Sequence, residues 1–258
     1  MAVERTHAIL GASAAHRWLA CPPSARMCEG LPDEPSKASL DGDALHEIAA
    51  KRIQMQYCTL DPARSLAEVQ EAEARHAKVL AKLAKSENRA VLDAYVAIAI
   101  GKIRRALPLH PLVAIERDLD LSRHIPEGKG IADLMICGGG ILEVVDFKSG
   151  RGRVEAPHNP QLMIYALGAM DMWRTQKVET VRLSIVQPRI FNLSSWEIPR
   201  KTLDRWAKTR LRRTARLAFA GEGELRAGEH CRYCRAKGAC AEYAKHEQEK
   251  ETSEWESP

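Results

Sequence analysis

The stretch from Gly130 to Lys148 constrains this chain more than any other. An apolar run from Ile131 to Ile136, glycines at 138 to 140 and a second apolar run from Ile141 to Phe147 predict a β-hairpin, because β-branched residues bounded by glycine favour paired strands. The first strand carries one acid, Asp133, and the second ends in Asp146 and Lys148. Side chains alternate along a strand, so Asp146 and Lys148 share one face with Leu142 and Val144 behind them. An acid and a lysine at the end of a greasy strand are costly to desolvate. They read as a catalytic edge; the competing reading is a solvated strand end carrying a salt bridge.

With 258 residues the chain is long enough to bury a sizeable core, as one elaborated domain or two small ones. A net charge of +5 permits a polyanionic partner without requiring one. No apolar run approaches the roughly 20 residues of a bilayer span, and the first residues lack the basic and apolar regions of a signal peptide. The expectation is a cytoplasmic protein with no membrane partner. Seven cysteines, an odd number in a reducing compartment, then point to metal and away from a disulfide framework.

Along the chain, Ser13 is a candidate cap for a short helix carrying Trp18 and Leu19, stopped by the prolines after Cys21. Residues 30–40 read as loop, and a helix is predicted from about Asp41 to Tyr57 with Leu45, Ile48, Ala49 and Ile53 on its apolar face. His46 sits beside that face; alone it would be a structural histidine. Residues 61–107 have helical periodicity, broken near Ser86-Glu-Asn. Leu112 to Leu121 reads as a strand containing Glu116. The loop from Ser149 to Arg153 is basic and glycine-containing but lacks the order of a phosphate-binding P-loop; it is either a flexible turn or a place where Arg151 or Arg153 touches a phosphodiester. A helix follows, with Pro160 near its start and Gln161 and Tyr165 on one face. Val181 to Gln187 is a further strand, with Phe191 to Ile198 as a possible edge strand. Strands on both sides of a helix predict a mixed α/β core. Thr202 to Ala220 is a strongly basic helix, either a phosphate-contacting element or a solvated one. Residues 247–258 read as a polar, disordered tail.

Near the C-terminus stand Cys231, Cys234 and Cys240. Thiolates select zinc or iron–sulfur iron, and either wants four ligands. Zinc could complete its shell with His230 or His246; an iron–sulfur cluster needs a further cysteine, for which Cys21, before a proline, is better placed than Cys28, Cys58 or Cys137.

Taken in order, Ser13…Cys21-Pro22, Gly42-x-x-x-His46, Gly130-Ile-Ala-Asp133, Asp146-Phe-Lys148, Gln161-x-x-x-Tyr165 and Cys231-x2-Cys234-x5-Cys240 resemble the PD-(D/E)XK nuclease superfamily, in its RecB-like and AddB-like branch with an iron–sulfur staple, and within that a phage-borne group. The resemblance implies an α/β fold: a central mixed sheet flanked by helices as in restriction endonucleases, forming a single domain over 1–246, with a helical insertion at about 58–107 and cluster-binding ends at 13–28 and 228–246. It implies a metal-dependent deoxyribonuclease, an exonuclease by expectation, with a role in phage DNA recombination or processing. Asp133, Asp146, Lys148, Gln161 and Tyr165 would be catalytic. His46, Asp133, Asp146, the backbone carbonyl of Phe147 and, least supported, Glu116 would hold Mg²⁺ or Mn²⁺. Cys21, Cys231, Cys234 and Cys240 would hold a structural 4Fe-4S cluster. The expected partners are DNA, as single strands or duplex ends, a recombinase, single-strand-binding protein or helicase, and further copies of the chain. The alternatives are a catalytically idle nucleic-acid-binding protein that keeps the fold, and a nuclease stapled by zinc.

Overall fold

The computed structural model describes residues 9–32, 37–57, 62–78, 81 and 88–255. They fall into two compact units, one of residues 1–34, 120–130 and 204–258 and the other of residues 35–119 and 131–203.

The second unit is built on the predicted hairpin. Five strands lie in sequence order: β1 (Leu112–Asp120), β2 (Lys129–Gly138), β3 (Ile141–Phe147), β4 (Thr180–Gln187) and β5 (Asn192–Pro199). The β2–β3 and β4–β5 pairs are antiparallel and β3–β4 is parallel, so the sheet is mixed. The turn at Gly139 and Gly140 has both glycines at positive φ, 58° and 79°, which suits a tight hairpin with right-twisted strands. Crossing from β3 to β4 requires a connection long enough to reverse direction, and this holds the helix α6 (Pro160–Met172), whose Asn159 side chain accepts from the Leu162 N–H as its cap.

Val145 and Phe147 of β3, Leu134 and Ile136 of β2 and Val186 of β4 pack against helix α3 (Lys37–Tyr57), through Leu45, Ile48 and Ile53, and helix α5 (Asn88–Ala106), through Leu92, Tyr95, Ala99 and Ile103. Alternation along β3 then turns Leu142, Val144 and Asp146 to the opposite face. The α/β class is as expected: a mixed sheet flanked by helices. α3 starts earlier than its periodicity indicated, at Lys37 and not near Asp41, because Lys, Ala and Leu are good helix formers with nothing to interrupt them. Between α3 and α5 lies α4 (Pro62–Arg75). The proposed break at Ser86-Glu-Asn falls mostly outside the described residues, with Asn88 opening α5, as does Cys58.

In the first unit the two ends of the chain meet. Helix α1 (Ala15–Ala20) and the single turn α2 (Ser24–Met27) lie with the long basic helix formed by α7 (Arg200–Trp206), a π turn (Ala207–Leu211) and α8 (Arg212–Ala220), whose last turn receives Arg26 Nε on the Phe219 carbonyl at 2.6 Å. Ser13 does not cap α1: it lies in a 3₁₀ turn, and no side chain caps the helix. Arg235 donates to the Leu31 carbonyl at 2.9 Å across the two ends. The tail is not disordered through residue 255. Helix α9 (Ala241–Trp255) runs through it, carrying Lys245–Glu249 and Glu247–Lys250 pairs at helical spacing.

Candidate functional site

The carboxyl end of β3 gathers the titratable residues that the hairpin pattern singled out. Leu134 pairs with Val145, which sets Asp133 beside Asp146 at the end of the ladder. Asp133 accepts the Phe147 N–H on Oδ2 at 2.7 Å and faces His46 Nδ1 across Oδ1 at 3.1 Å. Lys148 Nζ lies 2.9 Å from Asp146 Oδ2 and donates to Gln161 Oε1 at 3.0 Å. Gln161 Nε2 in turn donates to the Tyr165 hydroxyl at 3.4 Å, as their spacing on α6 predicts. Gly42 stands one turn before His46, where a β-carbon would sit 3.4 Å from Ser149 Oγ, so α3 runs within van der Waals reach of the loop that follows Lys148.

The structure brings Glu116 into this group despite its slight support in the sequence. Ligand atoms of His46, Glu116 and Asp133 lie within 4.8 Å of one another, the sole such set of three among the described residues. Glu116 has φ of 46° in the middle of β1. A non-glycine residue there carries strain of about 1–3 kcal/mol, and such strain concentrates where a side chain must be aimed. Asp146 stands outside the set of three; its Oδ2 is buried, ion-paired to Lys148, and has no aligned hydrogen bond. Tyr95 was not foreseen. Its ring stacks on Phe147 at 4.2 Å between centroids, and its buried hydroxyl has no hydrogen-bond partner. Nothing in an apolar helix face separates this tyrosine from an ordinary core residue.

Arg151 and Arg153 lie on the exposed loop after Lys148, and Arg153 pairs with Glu155.

The electrostatics are those of a tightly coupled, buried group of acids with one lysine and one histidine. Burial opposes ionisation of both acids. At Asp133 it is overcome by His46, the Phe147 N–H and Lys148, which hold the carboxyl below its ordinary range. At Asp146 burial prevails over Lys148, and the charge of Asp133 adds to it, so the carboxyl is pushed up. Burial pulls Lys148 down but Asp146 and Asp133 outweigh it, which keeps the ammonium charged. It can orient and stabilise an anion; it is no general base. Burial also pulls His46 down, yet Asp133, then Asp146 and Glu116, raise it to about 9. The carboxylates of Asp133 and Glu116 with the imidazole of His46 offer hard oxygens and one softer nitrogen, a set that fits Mg²⁺ or Mn²⁺, with Asp146 beside it.

A pH dependence follows for the protein in chelator. The folded His46 pKa of about 9 exceeds its unfolded value of 6.5, so its pairing stabilises fully below about pH 6.5 and is lost as pH rises through about 9. With the imidazole a quarter exposed, the effect is on the order of 1–2 kcal/mol after solvent screening. Thermal melts from pH 6 to 9.5 should show a decline that His46→Gln lacks.

The cysteines form the second group, in the unit that joins the chain ends. Cys21, Cys231, Cys234 and Cys240 all line one narrow pocket, together with Ser24, Met27, Leu225, Arg226, His230, Lys237 and Tyr243. None of the four is in a disulfide. No three cysteine sulfurs among the described residues lie within 4.8 Å of one another. Cys28, without context in the sequence, has its sulfur 3.8 Å from Cys234 Sγ and accepts from the buried Arg17 guanidinium at 3.3 Å. Cys137 lies apart, buried in β2.

Residues 7–258 match the family described as "Protein of unknown function (DUF2800)". The chain belongs to the DUF2800 family. A solved structure described as "Crystal structure of SSO0001" is similar over 89% of this DUF2800 chain and 96% of its own, at 14% identity and a TM-score of 0.34, a likeness too slight to build on. No helix among the described residues is long and apolar enough to cross a membrane.

Proposed function

We propose that this DUF2800 protein is a metal-dependent nuclease of the PD-(D/E)XK type that hydrolyses DNA phosphodiester bonds, as an exonuclease. The observation that carries the reading is the convergence of Asp133, Asp146, Lys148 and Gln161 with His46 and Glu116 at one sheet end, from four separated stretches of sequence. Asp133, His46 and Glu116, with Asp146 and the Phe147 carbonyl, would hold Mg²⁺ or Mn²⁺. A bound divalent ion neutralises phosphate charge and makes water nucleophilic near neutral pH. Lys148, kept charged by Asp146 and Asp133, stabilises negative charge developing on the scissile phosphate. Gln161 fixes the lysine through its Oε1, and Tyr165 fixes Gln161. An idle binding protein would have no need to keep a charged lysine beside a buried acid, where each alone is costly.

Cys21, Cys231, Cys234 and Cys240 would hold a 4Fe-4S cluster as a structural staple. Zinc, which thiolates also select, is the alternative metal for the same four cysteines. DNA, recombination proteins and further copies of the chain are the partners this reading implies.

The test is digestion of end-labelled linear and of circular DNA, single- and double-stranded, with Mn²⁺ or Mg²⁺. Cleavage of linear but not circular forms is expected; DNA binding without cleavage under any divalent ion would instead establish the idle alternative. DNA contact by the first unit is separately testable. Lys208, Arg212, Arg213 and Arg216 line a shallow groove of about 600 Å³ with Glu222 as its one acid. Among the described residues Lys208, Arg213 and Arg216 have no ion-pair partner, and Arg212 Nε is buried without a hydrogen bond. Replacing Arg213 and Arg216 by glutamine should weaken DNA binding at all sequences alike and lower the salt slope of log K by about 1 per arginine, as fluorescence anisotropy would show.

A further inference from the structure

Phe191 is the most exposed large apolar side chain among the described residues, at 97%. It also has φ of 52°, in the left-handed region that a non-glycine residue adopts at a cost. Both features are unfavourable, and they coincide at the tip of the β4–β5 hairpin. Strain of this kind persists only where the surroundings over-determine it, and here they do. Gln187 and Asn192, the pair that closes the hairpin, are buried at 0% and 3%. Gln187 Nε2 donates to the carbonyls of Gly150 and Gly152 at 3.0 and 2.7 Å, and its Oε1 accepts the Val154 N–H at 3.2 Å. Asn192 Nδ2 donates to the Val154 carbonyl at 2.7 Å, and Arg189 Nε to that of Ser149 at 2.6 Å. Lys148 itself donates its backbone N–H to the Val186 carbonyl at 3.0 Å. The turn bearing Phe191 is thus bonded, residue by residue, to the loop that leaves the candidate catalytic lysine.

We infer that Phe191 is a stacking platform for an unpaired base of the strand whose backbone enters the Asp133–Asp146–Lys148 site. The inference rests on the nuclease reading for the identity of the strand. A single bare ring on a rigid mount suits one flat partner, and base–aromatic stacking tolerates any base. The same mount carries Arg151, Arg153 and Arg189, whose charges suit the phosphates flanking such a base, Arg153 sharing its charge with Glu155. A base inside a duplex has no free face, so the platform selects single-stranded ends or a frayed terminus. The competing occupant is a second copy of this chain across the edge strand β5, where Leu193 is also exposed, at 65%.

The experiment uses the whole chain in chelator and a single-stranded oligonucleotide carrying 2-aminopurine, so that binding is read without catalysis. Stacking on Phe191 is expected to quench the probe. Phe191→Ala, which keeps the β-carbon and removes only exposed atoms, should bind about tenfold more weakly and lose the quench. Phe191→Trp should keep both. With divalent metal, Phe191→Ala should raise KM on single strands by a similar factor while kcat changes much less. Wild-type binding and quench in Phe191→Ala would overturn the inference and leave the nuclease reading standing. So would a Phe191→Ala protein changed only in self-association by sedimentation, which would assign the ring to a second copy. Quench by Phe191 with no cleavage by any form of the protein would sustain the platform while removing the catalytic reading.

Discussion

Lys148→Ala is expected to lose metal-dependent DNA hydrolysis by about 10²–10³-fold, the loss typical of removing one preorganised donor to a developing oxyanion. The protein should stay folded. Lys148 is partly exposed, at 29% of its side chain, and Asp146 is already inclined by burial to hold a proton once its partner is gone, so the stability cost is on the order of 1 kcal/mol. Circular dichroism melts alongside single-turnover digestion separate the two effects. Lys148→Arg keeps the charge but not the compact ammonium, and should recover folding more fully than activity. Full activity in a folded Lys148→Ala protein would remove the mechanism, since among the described residues no other cation is ion-paired to Asp146. Gln161→Ala should fall between the two, because Gln161 acts through the lysine it holds.

The second large effect is expected at the cysteine cavity. Cys231→Ser should cost the chain its iron and acid-labile sulfide, its brown colour when purified without oxygen, and several kcal/mol of stability, because binding energy at a structural metal site is folding energy. Cys21→Ser should do the same, although it lies 210 residues away in sequence (231 − 21). Cys28→Ser should keep the iron, since its sulfur lies beside Cys234 and outside the cavity that the other four line. A colourless protein with stoichiometric zinc would replace the cluster with the metal that spacing alone left open. Iron lost from Cys28→Ser and retained in Cys21→Ser would exchange their roles.

What the sequence revealed divides along a physical line. The hairpin, the shared face of Asp146 and Lys148, and the Gln161–Tyr165 pair were legible because each depends on a local period, two in a strand and four in a helix. Cys21 and the C-terminal cysteines were legible through spacing and the proline neighbour. Glu116 was only faintly so: its approach to His46 and Asp133 depends on a left-handed kink that a strand pattern does not announce. Tyr95 was not legible, because its orphan hydroxyl becomes unusual only once α5 lies against Phe147. Gln187 and Asn192 read as ordinary polar strand ends, and their role in pinning the loop after Lys148 exists only in the folded register. Long-range polar contacts of this kind leave no period for a sequence to display.

The meeting of the chain ends also has a consequence in time. Cys231, Cys234 and Cys240 leave the ribosome more than 200 residues after Cys21 and Cys28. At about 5–20 residues per second, synthesis alone separates them by roughly 10–40 s. The unit they share therefore cannot close around its cysteines until Cys240 has emerged, although the β2–β3 hairpin can form in the interval. Until the last of these cysteines emerges, the nascent chain would present its β2–β3 hairpin already formed while the thiols of Cys21 and Cys28 were still without their C-terminal neighbours.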